Sequence, residues 1–520
     1  MKVFIQTIIA LLIIINVSSA QTNYYVDGAL GSDIPGNGLR TGASAWKTIE
    51  YAVNNVADPA TEPIIINIVD GTYDLNNNQI DIGRIFTNLT ILGGSTNGTI
   101  VQASTDTSLS SARVFEIYPG NTVSIKNMTV RHGKVPKNGG GIYNRGTLTI
   151  DYCKITNNIL TETRGVGAGV GNFNGVLTIT NSTISYNKTY NINEGCPGGG
   201  VGASGGITVI NNSTISYNQA ASGAGIAIIL NKTDENGNAI FEMTNSTISE
   251  NLAGFNGGAM RIALFNNPTY NIITNINSCT IYKNHADSGY GGILLSSQTD
   301  FNIKNTILAG NTAGPTFTSN DLKGLNSHYT ITSGDNNLIQ TNINVTINGF
   351  TANNIYNQEA NCLTLADNNT TNGTHTCATL FGSPAINAIP GGNGAPPQDQ
   401  RGKERNGDYD IGAFEYSSPS DVDGEKQLPN NFSLKQNHPN PFNPSTKISW
   451  QSPVGSWQTL KVFDVLGNEV VTLVDEYRPV GEYEVEFQTS IGNRQLASGV
   501  YYYRLQAGEY VQTKKMILLK

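Results

Sequence analysis

Charged residues are scarce in this 520-residue chain. Lysine, arginine, aspartate and glutamate together make up 13% of it, half of the roughly 25% that is typical of soluble domains. The formal net charge is −8, so the chain lacks the basic excess that attracts a phosphate backbone. We therefore expect no nucleic-acid partner.

Long apolar runs are also scarce, and the longest lies near the first residue. VFIQTIIALLIIINV follows Lys2 and precedes Ser18-Ser19-Ala20. A charged start, a short apolar stretch and small residues before the cleavage point are typical of a secretory signal peptide, and the run is short for a membrane span. We expect a signal peptide at 1–20, with no transmembrane segment in the mature chain.

Glycine is abundant instead, with 57 residues, and much of the chain is built from an internal repeat. Successive repeats are 25 to 33 residues apart, measured from Val130 to Ile155 and from Ile215 to Ile248. A period near thirty with variable loops predicts a solenoid. The apolar column that defines the register is Val130, Ile155, Ile184, Ile215, Ile248, Ile281 and Leu308. Three positions later stands an asparagine column: Asn158, Asn187, Asn218, Asn251, Asn284 and Asn311.

The residue pattern inside one repeat predicts three short strands. Leu177 and Ile179 share a face, a corner follows at Asn181, and a glycine-rich third strand is exemplified by GGGIYN from Gly139. One such coil leaves its backbone groups without partners, whereas stacked parallel coils pair them. Stacking would turn the apolar column into a core and the asparagine column into a hydrogen-bonded ladder.

These repeats carry a family resemblance. The motif I-x-x-N followed by Gly-Gly-Ala, at Ile248–Asn251 and Gly257–Ala259, resembles polymorphic outer-membrane protein repeats and other right-handed parallel β-helices of the pectin-lyase type. YYVDGALGSDIPGNG and AWKTIEYAVNNV resemble a cap whose short helix plugs the first coil, which implies a cap at 21–63. QDQRGKERNGDYDIGAFEY resembles a closing segment of bacterial β-helix proteins with interchangeable anchors, which implies a helix over 64–416.

The last part of the chain has a different pattern. A Ser/Pro/Asp-rich linker is expected at 417–431. Residues 432–520 then closely resemble the type A sorting domain of the type IX secretion system, through the motifs NPFNP, LGN and SGVY and the pair Lys514-Lys515. The resemblance implies a small antiparallel, β-sandwich-like domain, the type IX machinery as a partner, and delivery to the outer-membrane surface or the medium of a Gram-negative bacterium. The fold class expected for the whole chain is all-β.

Catalytic signatures are missing from the predicted helix. Enzymes of this fold that cleave acidic polysaccharides need a base and often calcium. The outward positions beside the apolar column are mostly hydroxyl residues, with Thr214 among them, and lack an acidic cluster. The signatures of polygalacturonases and pectate lyases are also absent. No metal or other cofactor is expected, and calcium only if the protein is a lyase.

Ionisable residues concentrate only in the early coils. They lie one or two stacking steps apart, so they could supply a general base and a carboxylate-binding arginine, or form a surface ion-pair ladder. The catalytic candidates are Lys126, Arg131, His132, Asp151 and Lys154, and the ligand-binding candidates are Arg131, Arg145 and Lys154.

Three functions remain open at this point. The first is non-catalytic adhesion or contact with an extracellular polysaccharide. The second is a polysaccharide lyase or glycoside hydrolase that acts on acidic polysaccharide from the early coils. The third is a structural surface-layer component without a specific ligand. Because the hydroxyl-rich face lacks carboxylates, we expect the first.

The cysteine positions give a further expectation. Cys153 and Cys279 share one inward column but lie four coils apart, about 19 Å, which no disulfide spans. We expect both to be buried free thiols. Cys362 and Cys377 flank a loop rich in threonine and asparagine, and in an oxidising compartment they are a possible disulfide pair.

Overall fold

The structure is a computed structural model that describes residues 21–57, 62–162, 165–189, 197–231, 238–265, 271–295, 299–324, 330–343, 353–417, 432–453, 456–478, 481–491, 494–507 and 510–519. Its contacts divide the chain into two units, residues 1–416 and residues 417–520. The expected signal peptide at 1–20 and nearly all of the expected linker at 417–431 lie outside the described residues.

The first unit is a right-handed parallel β-helix whose stacked coils form four sheets. We number the sheets in the order in which the chain passes through them within one coil. Sheet 1 contains Thr22–Val26, Ile64–Ile68, Leu89–Gly93, Thr122–Lys126, Thr147–Asp151, Val176–Thr180, Gly206–Asn211, Ala239–Thr244, Ile272–Asn277, Thr299–Lys304 and Thr330–Ser333. Sheet 2 contains Gly71–Asp74, Thr99–Gln102, Thr129–Arg131, Lys154–Thr156, Thr183–Ser185, Thr214–Ser216, Thr247–Ser249, Thr280–Tyr282, Ile307–Ala309, Leu338–Ile339 and Ile355–Tyr356.

The other two sheets complete each coil. Sheet 3 contains Lys134–Val135, Ile159–Leu160, Lys188–Thr189, Gln219–Ser222, Leu252–Asn256, His285–Ala286, Thr312–Ala313 and Thr318–Ser319, and only the last pair is antiparallel. Sheet 4 contains Ile80–Ile82, Phe115–Ile117, Ile142–Asn144, Val170–Phe173, Val201–Ser204, Ile226–Asn231, Met260–Phe265, Ile293–Leu295, Leu322–Gly324 and Asn342–Ile343.

The prediction of three strands per coil was wrong, because the chain turns at two one-residue corners rather than one. Asn181 precedes sheet 2 with a φ of 48°, and Tyr186 follows it with a φ of 56°. Both lie in the left-handed region, which redirects the chain in a single residue. The second corner starts sheet 3, whose strands, such as Lys188–Thr189, are mostly too short to show a residue pattern.

A short helix closes the first coil. It spans Ile49–Asn55, and the Thr48 hydroxyl caps it by accepting the Tyr51 backbone N–H at 3.2 Å. Its residues Ile49, Ala52 and Val53 are buried, and they join the core of the β-helix. Such a cap removes the apolar core and the strand edges of the first coil from water. One-turn 3-10 helices occur at Gly42–Ser44 and Pro390–Gly392.

The apolar column lines the core of the helix, since all seven of its residues are fully buried. The asparagine column forms a continuous ladder beside it. Asn218 shows the pattern: its carboxamide oxygen accepts the backbone N–H and the Nδ2 group of Asn187, each at 3.0 Å. Its own Nδ2 donates to the Ile184 carbonyl at 2.9 Å and to Oδ1 of Asn251 at 3.0 Å. Each rung therefore satisfies the buried polar groups of the coil before it.

The ladder ends on a carboxyl group. Oδ1 of Asp321 accepts the backbone N–H of Asn311 at 2.9 Å and its Nδ2 at 2.8 Å. Burial raises the pKa of Asp321 to about 7, although hydrogen bonds from Asn311 and Thr341 oppose the rise. Asp321 therefore occupies the next position of the ladder as an acceptor whose charged form is disfavoured.

The four described cysteines are free, buried thiols. The prediction for Cys153 and Cys279 is confirmed, and burial raises the pKa of each to about 12. The possible disulfide between Cys362 and Cys377 was wrong. Cys362 forms an isolated antiparallel β-bridge with Thr379, so Cys377 is its diagonal neighbour, and diagonal Cα atoms lie about 7–8 Å apart, beyond the usual reach of a disulfide.

The second unit is antiparallel and has its own core, which includes the fully buried Trp450 and Tyr503. One sheet contains Ser433–Leu434, Ser445–Ser452 and Gly481–Gln488. A four-stranded sheet contains Glu469–Arg478, Ser456–Phe463, Gly499–Ala507 and Tyr510–Leu518, and a small hairpin pairs Ser490–Ile491 with Arg494–Gln495.

Removing one rung tests the ladder. We expect Asn218→Ala to lower the free energy of unfolding of the protein by at least ~3 kcal/mol, since each buried group left unpaired costs about 1–3 kcal/mol. Asn54→Ala, at an exposed position of the cap helix, should change it by less than ~0.5 kcal/mol. Urea unfolding measures both, and equal effects would mean that the ladder contributes nothing to stability.

Asp321 should make stability depend on pH. Its folded pKa of about 7 lies above the unfolded value of about 3.9, so the folded state binds more protons between them and loses stability as pH rises from about 4 to 7. Asp321→Asn removes this titration and keeps an acceptor for Asn311. The variant should show a shallower loss of unfolding free energy in urea titrations over that range. An unchanged pH slope would contradict the assignment.

Candidate functional site

The outer face of sheet 2 is covered over its later coils by the closing segment, residues 357–416. Gln400 lies at the centre of the contact and is fully buried. Its Oε1 accepts the Thr247 hydroxyl at 2.6 Å, and its Nε2 donates to Oγ1 of Thr214 at 2.9 Å. The backbone N–H of Ala413 donates to Oγ1 of Thr280 at 3.0 Å. The hydroxyl face in these coils therefore binds another part of the same chain.

Thr214 is therefore not exposed, although the sequence pattern places it among the outward positions. Thr214, Thr247 and Thr280 do point away from the core, as the alternation predicts, but each is at most 1% exposed. Strand alternation tells which side chains leave the core and not what lies outside it. Thr214 and Gln400 are 186 positions apart in the sequence, so no local pattern connects them.

Buried ion pairs hold the closing segment in shape. Arg401 donates from Nε and Nη2 to Asp399 Oδ2 at 2.8 and 2.6 Å, and its guanidinium lies over the Phe414 ring. Nη1 of Arg405 donates to Glu415 at 3.0 Å. Both pairs are almost completely buried, so removing one partner would leave an uncompensated charge. The closing segment is therefore a rigid cover.

Gln400 gives a test of this cover. Gln400→Ala leaves the hydroxyls of Thr214 and Thr247 short of a partner inside a buried contact, and we expect a loss of about 3 kcal/mol in unfolding free energy. Gln398→Ala changes the same residue type two positions away, where the side chain is exposed, and should cost less than ~0.5 kcal/mol. Thermal and urea unfolding compare the two variants. A full-size loss in Gln398→Ala would indicate a general sensitivity of the segment instead.

The early coils of sheet 2 remain open. The cover ends at Asn372, whose Nδ2 donates to Asn181 Oδ1 at 3.4 Å and to the Asn212 carbonyl at 3.2 Å. On the other side the Thr96 carbonyl accepts the Thr129 hydroxyl at 2.7 Å. We call the open surface between these limits the sheet 2 window. It consists of the partly exposed Arg131, Lys154 and Thr183 and the exposed corner residues Asn157 and Tyr186.

Two of the candidate residues lie in this window. Lys154 stands between Thr129 and Thr183 in the strand register. Arg131 pairs with Thr156 one coil on, and its Nε donates to Gln102 Oε1 at 2.9 Å. Among the described residues, neither Arg131 nor Lys154 forms an ion pair with a carboxylate. The window thus presents two cations to the solvent.

The other candidates do not join them in one cluster. Asp151 accepts from Lys126 at 3.4 Å and also from the side chains of Thr180 and Asn181. The Nδ1 atom of His132 lies 3.0 Å from the Ser104 carbonyl. Asp151 is therefore already the acceptor of three side chains, whereas Nδ1 of His132 donates to a carbonyl and leaves Nε2 as the acceptor atom of that ring. In the parts of the chain that the structure describes, no three His, Cys, Asp or Glu side chains gather into a group that could hold a metal ion.

Arg145 lies elsewhere. It follows the sheet 4 strand Ile142–Asn144, pairs with Glu116 at 2.6 Å, and stacks over the Tyr118 ring at 4.6 Å. Glu116 also pairs with Arg113 at 2.7 Å. The expected grouping of Arg145 with the early-coil residues was wrong, because strands adjacent in sequence face different sides of the coil.

A pair of tyrosines was missed at the sequence level. The rings of Tyr186 and Tyr217 stack with centroids 5.0 Å apart and an angle of 6° between their planes, and Tyr186 is 54% exposed. They occupy the second corner, the position directly before each ladder asparagine. An alignment of that position through the repeats would have found them, because it shows Asn157, Tyr186, Tyr217 and Glu250 in four successive coils. Burial raises the pKa of Glu250, and nearby Lys283 opposes the rise.

Comparison with protein families identifies the second unit. Residues 437–519 match the secretion system C-terminal sorting domain. The chain carries a type IX sorting domain. It is therefore a secreted or cell-surface protein that interacts with the secretion machinery. No helix among the described residues is long and apolar enough to span a membrane.

Solved structures with distant similarity to the chain include two pectin methylesterases and a viral protein. A pectin methylesterase from carrot is 13% identical, with 66% of this chain and 90% of that chain covered and a TM-score of 0.22. A pectin methylesterase in complex with a hexasaccharide is also 13% identical, with 60% and 91% covered and a TM-score of 0.20. ORF18 of Geobacillus virus E2 is 12% identical, with 68% and 63% covered and a TM-score of 0.25. No curated protein sequence matches the chain.

Proposed function

We propose that the β-helix is a non-catalytic module that attaches to an anionic extracellular polysaccharide through the sheet 2 window. The observation that supports this most is the pair of outward cations, Arg131 and Lys154, on the part of sheet 2 that the closing segment leaves open. Guanidinium and ammonium groups form charge-assisted hydrogen bonds with the carboxylates of acidic sugars. Hydroxyl and amide groups around them suit the sugar hydroxyls.

The side chains around the window favour contact over cleavage. A general base needs a free acceptor within hydrogen-bond reach of the proton that it removes. Asp151 is already the acceptor of three side chains, and His132, whose Nδ1 donates to the Ser104 carbonyl, has only Nε2 left as an acceptor. Arg131 and Lys154 are cationic donors that can bind a carboxylate without further help. The arrangement therefore suits an adhesion or glycan-contact protein.

The export route gives the first test of this proposal. A signal peptide would take the chain across the inner membrane of a Gram-negative bacterium, and the sorting domain would take it across the outer membrane. Deleting residues 432–520 should then leave the protein in the periplasm. Cell fractionation and surface labelling of the deletion strain check this, with the full chain as control. Truncated protein on the cell surface would contradict the route.

The second test addresses binding. We expect the mature protein to bind acidic polysaccharides in a salt-dependent way and the double variant Arg131→Ala, Lys154→Ala to bind about tenfold more weakly or worse, since about 1.4 kcal/mol corresponds to tenfold. The matched control is Arg40→Ala, Lys47→Ala, which removes the same two charges from exposed positions of the cap. Affinity electrophoresis on a panel of anionic and neutral polysaccharides measures each variant.

Two results would contradict the proposal. New reducing or unsaturated chain ends, produced by the unmutated protein, would show an enzyme rather than a binder. An equal loss of affinity in the control pair would show a general charge effect rather than a site.

A further inference from the structure

We propose that Tyr186 and Asn157 form a subsite for a single pyranose ring of the bound glycan, with the ring stacked on the open face of Tyr186. This inference rests on the proposed function and specifies where one sugar residue sits. The two corner tyrosines contribute nothing to the hydrophobic core and belong to neither the ladder nor the closing segment.

The corner column leaves one tyrosine face open. Each coil contributes one residue to this column, and the rings of Tyr186 and Tyr217 cover each other. On the other side of Tyr186 the next coil contributes Asn157, which is exposed and carries no ring. Among the described residues, the Asn157 carboxamide has no hydrogen-bond partner. The stack therefore stops at Tyr186 with an aromatic face towards a free amide.

The backbone at this corner is unfavourable for an aromatic residue. Tyr186 and Tyr217 have φ values of 56° and 55°, as the other residues of this corner column do, in a region that bulky side chains avoid. The equivalent position holds asparagine in the coil before them, which tolerates this conformation better. Since Tyr186 is 54% exposed, burial in the core does not account for its presence there.

The spacing of the coils fits a sugar ring. Parallel strands lie about 4.8 Å apart, and the Tyr186 and Tyr217 rings follow that spacing with centroids 5.0 Å apart. A pyranose stacked on Tyr186 would take the next place in the same column, over Asn157. The carboxamide there offers both a donor and an acceptor to the sugar hydroxyls.

The subsite also connects with the cations of the window. Lys154 lies in the same coil as Asn157, three residues earlier, and Arg131 lies one coil further from Tyr186. A carboxylate on the same or the adjacent sugar can therefore reach a cation while one ring stacks on the tyrosine. This combination favours an acidic polysaccharide over a planar aromatic ligand, which would need neither the amide nor the cations.

The experiment compares Tyr186→Ala with Tyr152→Ala in the full mature chain. Tyr152 is a matched control because it is 41% exposed and has a φ of 52° at the other corner, and its ring stacks on no other ring in the described part of the chain. We expect Tyr186→Ala to weaken binding to the acidic polysaccharide identified in the panel by about tenfold. Tyr186→Phe should restore it, because it keeps the aromatic face. Tyr152→Ala should bind as the unmutated protein does.

A second readout identifies the stacked group. Saturation-transfer NMR with an oligosaccharide of the same polymer should show transfer to the protons of a pyranose ring, and Tyr186→Ala should remove it. Unchanged binding by Tyr186→Ala, together with a loss in the Arg131, Lys154 double variant, would overturn the subsite and leave the proposed function standing. No polysaccharide binding by the unmutated protein would overturn both.

Discussion

The asparagine ladder is the constraint on which the rest of this structure depends. A chain that turns a corner within a single residue leaves backbone groups pointing into that corner, where no strand can pair them. Asn218 and its equivalents occupy that position and join the buried groups of two neighbouring coils. Because the ladder fixes one residue per coil, it also fixes the register of sheet 2 and of the corner residues beside it. The window and the tyrosine stack are consequences of that register.

Within the β-helix, the columns that repeat could be predicted from the sequence, and the contacts that do not repeat could not. The apolar and asparagine columns recur at a constant offset, so alignment within the chain finds them without any structure. The cover by Gln400 could not be predicted, since its contact with Thr214 spans 186 positions and has no periodic signal. The position of Arg145 was misjudged for the opposite reason, because closeness in sequence does not mean closeness around a coil.

The closing segment gives the helix its asymmetry. Gln400 and Ala413 form hydrogen bonds with the threonine hydroxyls of the later coils. Arg401 and Arg405 hold the segment in shape through buried ion pairs. A surface of repeated threonines would otherwise be uniform along the helix axis. Because the closing segment covers one end of this surface, the accessible polar and charged side chains lie on a few early coils. The two cations and Tyr186 are found there together.

Hydrogen–deuterium exchange of the ladder residues tests the central claim most directly. The backbone N–H groups of Asn158, Asn187, Asn218, Asn251 and Asn284 each donate to the carboxamide of the next rung. If the ladder holds the coils in register, these amides exchange only when the helix unfolds globally, with a protection free energy equal to that of unfolding. Exchange of the same amides as fast as that of exposed loop residues would contradict the account.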